Sequence, residues 1–417
     1  MYFIGSLVSE SSKIDEKCKK EIENIWDNEN VYLENPYNFF NNGFPYAAEK
    51  DELKVIHSIG SYIYGKKGEE PKEIQFDSAY SDIVLEIFLD MLERYLKKEE
   101  PVSEVYVDIS SGHNIYVSAL LEALRHFATF MNLSCWLVKS KRPKLFAAIC
   151  APILPGNKNV YNIYIEDQQF IVFFESPIKL SDIENIKEKI TAEFTDYLKE
   201  VLERFLLVFS AIKNNIPLYL FDRYTEIDSL NSVYNLLLEI IKYLNARISK
   251  NYKSSPKLDR RMWVKIINSL GFYIGIIENL RAYKIFPVVS EKGVMVKDIE
   301  KKIKNIYEKF GLTNIFDILE VELNKLGRPK ESKGGGNRIE DLIENSALEN
   351  IFQQKKRSIL KTYQDDKERL QRNFFAHCGL EENFIEVEKK NNDIYVKYSD
   401  GIPEIRDIIK EFLLNRV

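Results

Sequence analysis

Arg372, Asn373 and His377 place a guanidinium, a carboxamide and an imidazole within six residues of the stretch Leu370 to Leu380, Leu-Gln-Arg-Asn-Phe-Phe-Ala-His-Cys-Gly-Leu. An imidazole titrates near neutral pH, so it can take and return a proton. A guanidinium can hold a phosphate oxygen through two parallel N–H donors while negative charge develops on it. Together they suit metal-free RNA cleavage, in which a ribose 2′-hydroxyl attacks the adjacent phosphorus and a 5′-hydroxyl leaves. An Arg and a His near a helix end also serve as a surface charge and a C-cap contact, and spacing alone leaves both readings open.

The element that must carry these residues is a helix from about Gln353 to His377, which Gly379 stops. On an ideal helix Asn373 and His377, four apart, share a face, whereas Arg372 and His377, five apart, diverge by about 140°. Arg372 must therefore reach around on its long stem, or a second helix or subunit completes the site.

A second constellation is Asp108-Ile-Ser-Ser-Gly-His-Asn114. It lies between a strand over 104–109 and a helix over 114–130, the position where open α/β sheets place their ligand crevice. Gly112 allows close approach to the backbone, Ser110 and Ser111 offer hydroxyls, and the first-turn N–H groups of the helix favour anions such as phosphate. Asp108 tying down the loop and Asn114 capping the helix would explain the same residues without a ligand. The loop Ser6 to Ser12 follows the first strand in the same way. His57 and His126 fall within expected helices and are assigned no role.

Around these two sites the texture of the chain changes once. Up to about residue 178 it reads as α/β: a short strand at 2–7, helices over 14–26, 53–64 and 78–98, an irregular loop over 30–50, and strands over 104–109 and 133–138 joined by the helix at 114–130. Strand, turn, helix, strand is the sequence form of a crossover in a parallel sheet. Runs at 160–165 and 170–174 read as a hairpin closing this part. From 179 onward long amphipathic segments at about 182–213, 229–250, 258–284 and 295–310 give a mainly helical half, ending in a hairpin over 384–398 and a helix from Pro403. Gly327 to Arg338 reads as a flexible basic loop.

With 417 residues, 45% apolar and 29% charged, the chain has an ordinary water-soluble composition with room for two domains. A net charge of -5 gives no global basic signature, so any nucleic-acid contact is a local patch. Cys18, Cys135, Cys150 and Cys378 lie far apart, which indicates neither a zinc site nor a disulfide framework. No apolar run is long enough to span a bilayer, and a cytoplasmic protein without a membrane partner is expected.

Asp108-x-Ser110-x-Gly112-x-Asn114 after a strand, followed far downstream by Arg372-Asn373-x-x-x-His377 in a helical half, resembles the CARF and HEPN motifs of CRISPR-associated accessory ribonucleases from type III systems. The resemblance implies a Rossmann-like CARF domain with a parallel sheet over 1–178 and a helical HEPN domain with a small β-hairpin over 179–417. It implies a homodimer or assembly of dimers. A cyclic oligoadenylate activator, the tetramer above all, would bind at Ser6, Ser110, Ser111, Gly112, His113 and Asn114, with Asp108 shaping the loop. Two HEPN domains would form one metal-independent site for single-stranded RNA, with Arg372 and His377 catalytic, Asn373 supporting, and no metal or other cofactor. Cys378 stands where the family often has glycine. Two other readings remain: a nucleotide-sensing regulator or dimerisation protein without catalysis, and a HEPN toxin nuclease that needs no ligand.

Overall fold

The computed structural model describes residues 2–3, 29–37, 54–64, 70–98, 102–110, 114–150, 162–288, 290–326, 357–391, 393–400 and 404–417. The chain divides into two compact units, one formed by residues 1–172 and 234–268, the other by 173–233 and 269–417.

In the first unit, β1 (Tyr2–Phe3), α1 (Glu29–Glu34), β2 (Val55–Ile56), β3 (Gly60–Tyr64) and β4 (Lys72–Phe76) precede α2 (Tyr80–Lys97) and β5 (Glu104–Asp108). Helix α3 (Asn114–Ser134) then leads to β6 (Lys144–Cys150) and β7 (Ile163–Asp167). Strands β5 and β6 pair in parallel from Glu104↔Lys144 to Asp108↔Ala148, with α3 as the connection, so the crossover expected around the 108–114 turn is present. Strand β7 pairs antiparallel on the other side of β6. β1 pairs in parallel with β2, and β3 antiparallel with β4. Helix α2 buries Ile83, Val84, Ile87, Phe88 and Leu92, and α3 buries Ala119, Ala123, Phe127, Phe130 and Met131, both at the three-and-four spacing of a core-facing stripe.

Several sequence expectations are corrected in this unit. No strand forms at 133–138: Leu133 and Ser134 complete the last turn of α3, Cys135 and Trp136 follow as a buried turn, and the strand that pairs with β5 begins at Lys144. A short apolar run fits a buried helix end as well as a strand, and the stripe already established on α3 decides. Arg142 fastens that turn, donating to Asn132 Oδ1 at 2.6 Å and to the Cys135 carbonyl at 3.3 Å. The helix expected over 53–64 is instead β2, a bend and β3, with Gly60 at φ +100° making a turn that side-chain-bearing residues rarely adopt. His57 therefore lies between strands, fully buried. Residues 29–34, expected in part as loop, are helical. The 14–26 helix and most of the 30–50 loop lie outside the described residues, as does the 327–338 basic loop.

The second unit holds α4 (Leu180–Glu184), α5 (Ile186–Lys189), α6 (Thr195–Lys213) and α7 (Leu218–Phe221), while α8 (Leu230–Ile248) and α9 (Arg260–Ala282) give residues to both units. After them come β8 (Val294–Met295), α10 (Val296–Phe310), α11 (Thr313–Leu326), α12 (Lys367–Ala376), β9 (Ile385–Lys390), β10 (Asp393–Tyr398) and α13 (Glu404–Leu414). Helix α6 is the central element, with Leu198, Val201, Leu202, Phe205, Phe209 and Ile212 all buried. The hairpin β9–β10 is as expected, and β8 adds a third antiparallel strand beside β10. The hairpin expected at 160–174 has only its first strand. Its second half is irregular because Phe174 stacks on Phe209 at 5.0 Å and joins Phe272 and Phe310, a burial that outweighs any local β preference.

Candidate functional site

The helix carrying Arg372, Asn373 and His377 is not continuous from 353 to 377. Residues 357–365 are helical, Asp366 breaks the run with φ -156° and ψ 69°, and α12 begins anew behind it. The Asp366 carboxylate accepts the Arg369 N–H at 3.0 Å, which satisfies one of the unpaired donors of the new helix start. Leu370 and Phe374, four apart, face inward; Phe374 packs on Phe384 and Phe412 at 5.0 and 5.8 Å between ring centroids. Burying such a ring contributes roughly 1.5–3 kcal/mol, which fixes the rotation of α12 and turns Arg372 and His377 to the surface.

His377 is the C-cap of α12, its N–H still donating to the Asn373 carbonyl at 3.1 Å. Behind it the chain turns sharply. Cys378 and Gly379 both take left-handed backbone angles, φ 53° and 71°, and the Gly379 N–H closes on the Phe374 carbonyl at 2.8 Å. A Cβ at Gly379 would stand 2.6 Å from Ile216 Cγ2, so glycine is required there for space as well as for backbone angle.

The imidazole has a partner that the sequence reading did not contain. His377 Nδ1 lies 3.2 Å from Glu322 Oε2 on α11, while Glu322 Oε1 pairs with Lys325 one turn further on. A carboxylate can only accept, so Nδ1 carries the hydrogen, and in the neutral imidazole the lone pair is then on Nε2. Glu322 is mostly buried, with 12% of its side chain exposed, whereas 46% of the His377 side chain is exposed. Such an imidazole can accept a proton at Nε2 from a bound hydroxyl and return it to a leaving group. Arg372 is exposed and makes no hydrogen bond or ion pair with His377 among the described residues; Asn373 is half-buried beside it.

Cys378 points into the core. Burial first, then the Glu322 carboxylate, pushes its thiol up to about 12, so it is neutral at physiological pH and no nucleophile. Its Sγ accepts from Asn215 Nδ2 at 3.2 Å, and that same amide donates to the Ile315 carbonyl at 2.8 Å and accepts from the Tyr307 hydroxyl at 2.9 Å. Asn215 thereby joins the His377 turn to α10 and to α11, the helix of Glu322. The helix at 313–326 was passed over in the sequence, although Phe316, Leu319 and Leu323 give its spacing. Nothing local in the sequence pairs 322 or 215 with 377.

In the first unit, Asp108 ends β5 and its Oδ1 accepts the Ser110 N–H at 2.8 Å. The hydroxyl and N–H of Ser110 beside it hold this carboxyl below its usual range. Ser110 Oγ in turn accepts the Cys150 N–H at 2.7 Å, so the turn is braced against the end of β6. Asn114 is the exposed first residue of α3, and Ile59 N–H donates to the Tyr116 hydroxyl at 3.1 Å, anchoring that first turn. Ser6, Ser111, Gly112 and His113 lie outside the described residues.

The α/β unit thus carries a braced turn at the carboxyl end of a parallel strand, and the helical unit a His–Glu pair at a helix end. Residues 4–151 match the family model described as CRISPR system endoribonuclease Csx1, CARF domain, and residues 296–400 match that of CRISPR system endoribonuclease Csx1, HEPN domain. Together the two matches cover more than half of the chain, which belongs to the CRISPR-associated CARF–HEPN accessory ribonucleases. No curated protein matches it. No helix among the described residues is long and apolar enough to cross a membrane.

Proposed function

We propose that this protein is a metal-independent endoribonuclease, switched on by a cyclic oligoadenylate, that cleaves single-stranded RNA in type III CRISPR antiviral defence in the cytoplasm. The observation that carries the catalytic half is the His377 Nδ1 to Glu322 contact at 3.2 Å, which leaves Nε2 as the working nitrogen, while Arg372 faces solvent elsewhere on the same helix. His377 takes the 2′-hydroxyl proton, Arg372 holds the phosphate as charge builds on it, and Asn373 supports the pair. Because Arg372 and His377 make no contact with each other within the chain, the complete site is formed by two copies about a two-fold axis, in a homodimer or an assembly of dimers.

The regulatory half is the Asp108 to Asn114 turn. Asp108 shapes it and points its charge at a neighbouring N–H rather than at a ligand. We assign recognition of the cyclic tetra-adenylate to Ser110, Ser111, Gly112, His113 and Asn114, together with Ser6, with one ligand shared between two copies of the chain. Binding activates the distant site by favouring one arrangement of the dimer.

The test is single-stranded RNA incubated in chelator with a panel of cyclic and linear oligoadenylates. Cleavage that survives chelator, requires a cyclic oligoadenylate and is lost in His377→Ala supports the proposal. Tight messenger binding without cleavage under any condition would leave a sensor or dimerisation protein, and equal cleavage without messenger a ligand-independent nuclease.

A further inference from the structure

Arg416 lies beyond the residues matched by the HEPN family model, yet it reaches the catalytic helix. Its guanidinium carbon stands 4.5 Å from the centre of the Phe375 ring. Phe375 is three residues after Arg372 on α12, so the two are neighbours on the helix surface, and it precedes His377 by two. A guanidinium held over an aromatic ring by its central carbon spends no N–H donor on a hydrogen bond to that ring's substituents, so its donors stay available to a further partner. Arg416 spends none of them on a carboxylate among the described residues. Its backbone is held firmly: the Asn214 side chain donates to the Arg416 carbonyl at 3.0 Å and is itself fixed to Ser210, whose hydroxyl donates to the Leu413 carbonyl at 2.7 Å. The chain thus anchors a second exposed cation on Phe375, one helix turn from Arg372, without a carboxylate partner among the described residues.

We propose that Phe375 and Arg416 form an RNA-backbone clamp, in which Arg416 holds a phosphate adjoining the scissile one. The inference rests on the ribonuclease reading for its substrate class, and Arg416 acts by positioning the strand, not on the reacting atoms. It follows that Arg416 lowers KM without supplying the chemical step, and that its contact is sequence-independent and salt-sensitive.

The experiment uses the full-length protein with cyclic tetra-adenylate present and two readouts. In the first, binding of a short fluorescein-labelled single-stranded RNA to the His377→Ala protein is followed against salt concentration. Adding Arg416→Ala is expected to weaken binding roughly tenfold and to flatten the salt slope by about 0.7, the share of one phosphate on a single strand. Adding Arg416→Lys instead restores part of it, since a point charge replaces a planar fork. Phe375→Leu weakens binding in the same direction. In the second readout, cleavage by the protein with His377 intact, Arg416→Ala raises KM by a similar factor while kcat stays within about threefold. Unchanged affinity and salt slope in Arg416→Ala would overturn the clamp, as would a fall in kcat alone. Failure of the ribonuclease reading is a separate result: the protein with Arg416 and His377 intact cleaves nothing, while the binding readout still decides whether Arg416 holds RNA.

Discussion

His377 Nδ1 and Glu322 Oε2 lie 3.2 Å apart although 55 residues separate them in sequence. The pair fixes the imidazole tautomer and its plane, as an orienting carboxylate does for a catalytic histidine in general. Glu322→Ala is therefore expected to lower kcat for RNA cleavage by about 10²-fold with little change in KM. Glu322→Gln keeps an acceptor for the Nδ1 hydrogen and should lose less, about tenfold. Steady-state kinetics in the presence of activator separate the two variants, and full activity in Glu322→Ala would remove Glu322 from the site.

Asn215 supports the same turn from beneath. Its amide serves the Cys378 thiol, the Ile315 carbonyl and the Tyr307 hydroxyl, and Tyr307 is fully buried. Asn215→Ala leaves that hydroxyl without its partner, at a cost of about 1–3 kcal/mol for a buried unsatisfied group. Denaturant unfolding should report the loss, and kcat should fall with it because Cys378 adjoins His377. A variant as stable and as active as the parent would show that the turn holds itself.

Gly379→Ala places a methyl group against Ile216 and forces a left-handed φ on a residue with a side chain. The expected cost is about 1–3 kcal/mol, with a displaced His377 and reduced cleavage. Thermal melting and activity measured on the same preparation test this; a melting point equal to the parent's would contradict it.

His57 gives stability a pH dependence. Burial lowers its basicity, but the Glu86 carboxylate, 3.0 Å from Nδ1, outweighs burial, helped by the Asn251 carbonyl at 2.9 Å from Nε2 and by nearby Asp82, so its pKa is raised from 6.5. Lys54 stands 4.0 Å from the other Glu86 oxygen, and Tyr252 stacks on the ring. A raised folded pKa means that the contribution is complete below the unfolded value near 6.5 and is lost as pH climbs through the folded one. The stability gap between the parent and His57→Gln should accordingly be wider at about pH 6 than at about pH 8.5. A gap independent of pH would mean that folding leaves the His57 pKa unshifted, and a gap narrower at pH 6 that the fold holds it neutral.

The Asp108 to Ser110 contact makes a matching prediction for the sensor. Asp108→Ala frees the Ser110 N–H and loosens the turn, so messenger affinity should drop roughly tenfold while RNA cleavage at saturating messenger persists. Calorimetric titration with cyclic tetra-adenylate reads the first and a saturation curve the second; unchanged affinity would show that the turn does not depend on this carboxylate.

The legible parts of this protein are those carried by neighbours in sequence. Asp108 to Asn114 followed a β-branched strand and opened a helix with an apolar stripe, and the structure has that strand, that helix and the parallel return. The helices at 80–97 and 296–310 lie where their periodicity put them, because a buried stripe at three-and-four spacing is a local pattern, whereas the segment expected over 182–213 divides into helices at 180–184, 186–189 and 195–213. The run at 133–138 and the segment at 53–64 were misread for the complementary reason. Their residue types suit either state, and the choice fell to the stripe already running along α3 in one case and to Gly60 and the burial of His57 in the other.

By itself the sequence determined that Arg372, Asn373 and His377 sit together at a helix end, and that a Gly/Ser turn follows a strand more than 250 residues earlier. Only the tertiary structure decided that Glu322 orients the imidazole, that Asn215 supports its turn, and that Arg416 lies on Phe375. Each of these contacts joins elements far apart in the chain, and their meeting depends on how α6, α10, α11, α12 and α13 bury their apolar faces in one core. Helix spacing states which face is buried; the packing of several such faces determines which polar residues meet at the rim.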